Sequence, residues 1–223
     1  MKDYNTSITI RIICKILVIL IVTSYFLTAL ANAESDSDIE LDPWSIMFYV
    51  GGTAKEVFID AIRGKYSSFG ETIYAAELAY TLDKKNLFRR IFSPVFDTVE
   101  IAGNLAYRHD RTHKDHVKEA NLYIIWRFSR FPWRKHLRNS IAIGDGISYA
   151  SHSPFADHEK GVPVNGHSKL LNYLMLEVTF ALPKYPNLQL ILRSHHRCTA
   201  WGTFPKNANA GSTNVGLGIR YYF

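Results

Sequence analysis

Cysteine is scarce in this chain. It has two, and Cys14 falls inside an N-terminal apolar stretch, so Cys198 is the single thiol of everything that follows. That excludes an internal disulfide after the stretch and marks Cys198 as a candidate reactive group. Long apolar runs are missing as well. Beyond residue 33 no segment has about 20 consecutive apolar residues, so no later helix is expected to span a bilayer. There is no Gly-rich phosphate loop of the Walker type, no paired-cysteine metal pattern and no nucleic-acid-binding module. No cofactor, no metal and no nucleic-acid partner are therefore expected. Internal repeats and low-complexity tracts are also missing, and the length fits one domain. Acidic residues stop at Glu177, with no Asp or Glu from 178 to 223.

The first 33 residues read as an export signal. Lys2, Arg11 and Lys15 supply the positive end, the segment from Ile12 to Leu30 is mostly apolar, and Ala31-Asn32-Ala33 gives the small-x-small pattern cleaved by a signal peptidase. The polar run Glu34-Ser35-Asp36-Ser37-Asp38 follows at once, which favours cleavage over an uncleaved anchor. The expected organisation is a signal peptide over 1–33 and one domain over 34–223. The net charge of +6 suits an anionic surface such as lipopolysaccharide.

After residue 43 the dominant period is two, the period of a strand. In the last segment Val215, Leu217, Ile219, Tyr221 and Phe223 share one face, and Asn214, Gly216, Gly218, Arg220 and Tyr222 share the other. The aromatic end Tyr221-Tyr222-Phe223 favours a lipid interface, and a terminal Phe on such a strand resembles an outer-membrane assembly signal. Eight strands are expected, over roughly 44–52, 71–82, 96–108, 118–129, 139–150, 170–182, 187–198 and 213–223. The fold class is all-β, an eight-stranded antiparallel transmembrane β-barrel. Closure is needed because lipid cannot satisfy the backbone groups of an open edge.

The two faces separate along each strand. Tyr74, Leu78, Tyr80 and Leu82, then Val99, Ile101, Leu105 and Tyr107, then Leu122, Ile124, Trp126 and Phe128, then Leu174, Leu176, Val178, Phe180 and Leu182 are expected to face lipid. Glu77, Glu100, Arg108, Glu119, Arg127, Glu177, Arg193, Arg197 and Arg220 fall on the opposite faces. Eight strands enclose a lumen just wide enough to be filled by side chains, so these charges read as a structural plug and not as a pore. Ala142, Gly144, Gly146 and Ser148 give strand five one face of small residues, expected to admit large neighbours in the lumen or to mark a bend. With the N-terminus starting in the periplasm, the connections 53–70, 109–117, 151–169 and 199–212 face outward. The turns 83–95, 130–138 and 183–186 face the periplasm.

The unusual segment is Arg193-Ser194-His195-His196-Arg197-Cys198, at the outer end of strand seven. Leu188, Leu190 and Leu192 set the lipid-facing parity, which extends to Ser194, His196 and Cys198. Gln189, Arg193, His195 and Arg197 then point inward. Polar residues at a membrane interface cost only about 0–1 kcal/mol, so a strand leaving the bilayer explains the outward set without chemistry. Yet two residues apart on one face is also the spacing that places a base beside a nucleophile. His196 can take a proton from Cys198, or from Ser194. His109, His113 and His116 with Asp110 and Asp115 form a mixed-charge outer loop whose spacing matches no strong metal-ligand pattern.

Here the sequence resembles a family. His195-His196-Arg197-Cys198-Thr199, then Gly211-Ser212-Thr213-Asn214, then Gly218-Ile219-Arg220-Tyr221 are similar to the C-terminal motifs of lipid A 3-O-deacylases of the PagL type and of acyloxyacyl hydrolase-like barrels. Ser148-Tyr149-Ala150 and Leu170-Leu171-Asn172-Tyr173-Leu174 resemble that family's middle strands, so the likeness covers roughly 140–223. The resemblance implies an eight-stranded barrel of the bacterial outer membrane that removes a fatty-acyl chain from lipid A with a Ser–His pair and no metal. Its partners would be lipid A or another outer-leaflet lipid. Two departures stand out. Cys198 occupies the place of the serine, and the carboxylate that orients the family's histidine has no counterpart after Glu177. Carried over, His196 is the general base and Cys198 the nucleophile. Asn214, Ser212 or Thr213 orients the imidazole, with Asn214 entered as the site residue although its parity is inward. Asp145 is a substitute carboxylate on strand five, not expected to be adjacent. Backbone amides from Thr199 to Gly202 are a candidate oxyanion hole. The competing reading is a non-catalytic outer-membrane barrel that is structural or binds lipopolysaccharide, and a soluble exported β-sandwich comes third.

Overall fold

The structure is a computed structural model that describes residues 41–54, 60, 67–158, 169–200 and 211–223. The expected signal peptide lies outside the described residues. Eight strands are present: β1 (Trp44–Ala54), β2 (Ser68–Thr81), β3 (Thr98–Asp110), β4 (Asp115–Phe128), β5 (Arg138–Ala150), β6 (Leu170–Ala181), β7 (Leu188–Cys198) and β8 (Gly211–Tyr222). Each pairs antiparallel with the next, and β1 pairs with β8, so the sheet closes on itself without an edge. All eight expected strands are found, with ends displaced by a few residues.

The alternation in the sequence becomes an inside-out protein. Along β7 and β8 the large apolar residues Leu188, Leu190, Leu192, Leu217, Ile219 and Tyr221 stand exposed, whereas Arg193, Arg197 and Arg220 are buried to within 1 %. A soluble protein buries such leucines because each fully buried side chain is worth about 1.5–3 kcal/mol. Here large apolar side chains line the outer face of each strand, and the lumen takes the charges together with Met47, Ile73, Ile125, Met175 and Ile191.

The lumen is filled. In the half nearer the N-terminal end of β1, Glu77, Glu100 and Glu177 meet Arg127, Arg193 and Arg220. Arg220 reaches Glu177 and Glu77 at 2.7 Å each, Arg127 reaches Glu100 at 2.6 Å, and Arg193 bridges Glu77 and Glu177. In the other half Glu71, Glu119 and Asp157 meet Arg108, Arg197 and His195. The nine expected inward charges are all buried, and Glu71, Asp157 and His195 join them. Between the two halves Tyr123 and Tyr173 pack ring to ring at 4.4 Å. The small residues of β5 make that possible. A Cβ on Gly144 would sit 2.9 Å from the Met175 methyl and 3.2 Å from the Tyr123 ring.

Three connections differ from expectation. The outer loop placed over 109–117 contracts to a four-residue turn, because β3 and β4 pair out to Asp110 and Asp115. The Asp110 carboxylate accepts the backbone N–H groups of Thr112 (2.8 Å) and His113 (3.0 Å), and Lys114 takes a left-handed φ of 53° to complete the reversal. Polar residues on both faces there hide the strand from any alternation test. The long turn 83–95 holds a short helix, α1 (Leu87–Phe92), started by Asn86, whose side chain accepts the N–H of Phe88 at 2.9 Å. Phe92 of α1 packs on Trp126 at 5.7 Å, and Val99, directly opposite Trp126 and expected to face lipid, is buried there. Phe128 is likewise covered, edge-on to Phe131 at 5.1 Å. Third, part of the connection after β5 folds into the barrel mouth. A 3-10 turn over Phe155–His158 carries Asp157, which is 1 % exposed inside the lumen.

Candidate functional site

On β7 the side chains alternate strictly. His195 and Arg197 enter the lumen, and Ser194, His196 and Cys198 take the outer face. Strand register then fixes their neighbours. His196 lies opposite Leu174 of β6 and Thr213 of β8, and Cys198 lies opposite Asn172 of β6. Directly opposite residues have Cβ atoms about 4.5–5.5 Å apart, so these side chains meet. The His196 Nδ1 is 2.9 Å from Thr213 Oγ1. The Asn172 amide donates to Asp145 Oδ1 at 2.8 Å, and Asp145 is exposed on the outer face of β5 between Ile143 and Ile147. Five polar residues from four consecutive strands thus cluster on the outer face, Asp145, Asn172, Cys198, His196 and Thr213, with Ser194 two residues before His196 on the same parity.

Asn214, assigned from the sequence as the residue that orients His196, does not belong to this group. It is fully buried in the lumen, opposite His195, and its amide is 2.5 Å from Thr53 Oγ1. The Thr53 hydroxyl also reaches Glu71 Oε1 at 2.8 Å. Asn214 Oδ1 and Glu71 Oε1 thus share the Thr53 hydroxyl. No bulge intervenes in the β7–β8 ladder to turn Asn214 outward. The orienting contact falls to Thr213, the neighbour of Asn214 with the opposite parity. Ser212, the other alternative, also points inward and bonds Asp157 at 2.5 Å.

Asp145 is closer to the group than its strand number suggested, but on the thiol's side. It reaches Asn172, which faces Cys198. Asn172 was not singled out as a site residue. Its signal was legible: it lies two residues before Leu174 on the lipid-facing parity of β6, where a polar side chain has no packing reason to be. Ser194 shares the outer parity yet is 7 % exposed, set between Leu176 and Val215. Cys198 is only half-buried, so of the two candidate nucleophiles it is the accessible one.

The lumen holds this wall in register. Arg197, between His196 and Cys198, donates to Asp157 Oδ2 (2.5 Å), Ser148 Oγ (2.9 Å) and the Lys169 carbonyl (3.1 Å). The other Asp157 oxygen accepts from Ser212, the residue before Thr213. One carboxylate therefore clamps β7 and β8 directly behind the His196–Thr213 pair. His195 bonds Glu119 at 2.6 Å and packs edge-on to Tyr173 at 4.7 Å.

Past Cys198 the chain reverses through Ala200, whose φ of 45° is left-handed, at a cost of about 1–2 kcal/mol for a residue with a Cβ. The strain aims the Ala200 N–H at the Cys198 sulfur. Of the expected oxyanion-hole segment, Trp201 and Gly202 lie outside the described residues. Among the described residues no group of three His, Cys, Asp or Glu side chains is placed to hold a metal ion, and the His109–His116 pair stacks at 4.7 Å while His113 bonds Asp110.

No protein-family model and no curated protein matches the chain. Solved structures to which the chain is similar include the outer-membrane enzyme PagL, at 13 % identity and a TM-score of 0.46 over 79 % of this chain and 98 % of that one. The N-terminal β-barrel domain of OprF from Pseudomonas aeruginosa is similar at 13 % identity and a TM-score of 0.44, over 82 % and 100 % of the two chains. Neisserial surface protein A is similar at 10 % identity and a TM-score of 0.44, over 81 % and 96 %.

Proposed function

We propose that this barrel resides in the bacterial outer membrane and hydrolyses an ester-linked acyl chain of an outer-leaflet lipid, in the manner of a lipid A deacylase. The observation that carries the reading is the outward-facing polar group on the apolar wall, with a thiol and an imidazole two residues apart on one strand face. At the outer end of the strands such side chains cost only about 0–1 kcal/mol each. What sets the group apart is its mutual contact across neighbouring strands, His196 with Thr213 and Asn172 with Asp145.

The chemistry follows from the contacts. In the tautomer that carries its proton on Nδ1, where Thr213 Oγ1 lies at 2.9 Å and the Ser212 backbone also bonds the ring, the basic nitrogen of His196 is Nε2. It takes the Cys198 proton, and the thiolate attacks the ester carbonyl carbon. The carbonyl π electrons move to oxygen, while the Ala200 N–H, which is donated to the Cys198 sulfur, holds the attacking atom in place. Collapse breaks the C–O bond, and the imidazolium returns its proton to the departing alkoxide. A water, deprotonated by His196, then attacks the thioester, releasing the fatty acid and restoring the thiol. Asn172, held by Asp145, positions the thiol from the opposite strand.

The test is mass spectrometry of lipid A from cells that express the protein, beside cells that express His196→Ala and Cys198→Ala. Loss of one ester-linked acyl chain with the wild type alone supports the hydrolase. Unchanged acylation with a correctly inserted wild-type barrel sinks it and leaves the non-catalytic barrel. A Cys198→Ser variant with more activity identifies the position as a nucleophile site in which the thiol is the poorer choice.

A further inference from the structure

The outer wall carries a groove of about 1040 Å³ lined by apolar side chains and one exposed cation, Lys118. The strand register explains its course. Lys118, Tyr107, Tyr74, Val50 and Leu217 stand opposite one another across β4, β3, β2, β1 and β8. One step nearer α1, Leu105, Ala76, Phe48, Ile219 and Leu190 form a second row across β3, β2, β1, β8 and β7. The groove runs between the rows. Ala76, between Phe48 and Leu105, is too small to close it.

We propose that this groove binds one acyl chain of a phosphorylated, multiply acylated glycolipid of the outer leaflet, with a phosphate of that lipid on the Lys118 ammonium. The proposal rests on the membrane placement argued above and is independent of the hydrolase chemistry, since none of the groove's lining residues belongs to the polar group around His196. Three observations point to this occupant. The first is depth. Neighbouring strands are about 4.8 Å apart, so the five steps from β4 to β7 span about 24 Å. At a strand tilt of about 40° the groove descends about 15 Å, half of a hydrocarbon core of about 30 Å. Its lower end, Leu190 beside Ile219, comes within one pair of the aromatic end of the wall at Leu188 and Tyr221, so it is the upper part, from Lys118 to Val50, that an outer-leaflet chain enters first.

The second is charge. Among the described residues Lys118 makes no ion pair. The neighbouring Glu119 also borders the groove, but its carboxylate is turned into the lumen, on His195 and Arg108. A cation at the upper end of an apolar channel matches an anionic headgroup above a hydrocarbon chain.

The third is the polar platform beside Lys118. The Tyr107 hydroxyl bonds His116 Nδ1 at 2.6 Å, and His109 Nδ1 lies 3.1 Å from the same atom. The Tyr107 and His116 rings stack at 5.8 Å, and the His109 and His116 rings at 4.7 Å. Flat rings with polar edges suit a sugar face better than a glycerol headgroup.

Native mass spectrometry of the full chain released from detergent micelles tests this, with bisphosphorylated lipid A as probe. A Cys198→Ala background prevents turnover, so that failure of the hydrolase reading leaves the measurement intact. The expected result is retention of one lipid A. Binding should weaken about tenfold in Lys118→Gln, in Ala76→Phe and with dephosphorylated lipid A. Lys118 is solvent-exposed, so its variant folds, and heat-modifiable gel mobility checks Ala76→Phe. Undiminished binding in Lys118→Gln overturns the phosphate contact. Undiminished binding in folded Ala76→Phe overturns the acyl groove. Equal affinity for phosphatidylglycerol overturns the glycolipid. Flotation of the wild type with phospholipid vesicles separates the two levels: failure to float overturns the membrane placement itself.

Discussion

At the scale of single residues the central question is what His196 and Cys198 touch. Thr213 bonds the imidazole, a neutral partner where a carboxylate would do more to stabilise an imidazolium. Replacing Thr213 with Val keeps the shape and removes the contact. The expected outcome is about a tenfold fall in kcat/KM for ester cleavage, the worth of one ordinary hydrogen bond, with folding unchanged. Asn214→Ala offers the contrast. It acts in the lumen on Thr53, so it should lower the unfolding midpoint in denaturant by an amount matching about 1–3 kcal/mol and leave kcat/KM for the same ester as it was. Equal activity loss in both variants would show that β8 as a whole, and not Thr213, sustains the site. Parity already separated these two neighbours, because consecutive residues on a strand face opposite ways. Which hydroxyl meets the imidazole depended on the β7–β8 register, which the sequence does not contain.

At the scale of elements, glycine and Asp157 do the most. Gly51 and Gly216 lie opposite each other where β1 meets β8. A Cβ on Gly216 would be 2.0 Å from the Val50 carbonyl oxygen, and one on Gly51 would be 2.4 Å from the Tyr49 hydroxyl. Gly216→Val should prevent closure of the barrel, seen as loss of the heat-modifiable gel mobility of a folded β-barrel. The 3-10 turn with Asp157 is the second device. It ties the long connection after β5 to Arg197, Ser212 and, at 3.9 Å, Arg108. Removing one partner of a buried pair costs about 3–5 kcal/mol because the other charge stays behind. Asp157→Ala should lower the unfolding midpoint in denaturant by an amount matching that range, and should also lower ester cleavage, since β7 and β8 lose their common clamp. An unchanged midpoint would mean that the turn is an ornament of the mouth. No periodicity reveals such a turn. It is held by one carboxylate reaching two strands that are 40 and 55 residues away.

At the scale of the whole molecule, the barrel is a solid plug with an apolar jacket. Three carboxylates face three guanidiniums in one half of the lumen, and the other half closes with Asp157 across its mouth. Reconstituted in a planar lipid bilayer, the protein should carry no steady ion current, as an eight-stranded barrel packed with side chains leaves no continuous water path. Stable single-channel steps would overturn this account of the lumen. The proposed hydrolase and lipid sites therefore both belong to the outer wall, in the polar group around His196 and the groove beneath Lys118.

Alternation along each strand, read from residues 44 to 223, by itself determined the strand count, the inside and outside faces, and the outward projection of His196 and Cys198. These are properties of period two, and period two is local. The pairing of His196 with Thr213, the approach of Asp145 to the thiol through Asn172, the inward turn of Asn214 onto Thr53, and the plug made by Asp157 were decided only by the tertiary structure. Each needs strands distant in sequence to meet in one register, and register is set by the closed hydrogen-bonded ladder, not by any single strand.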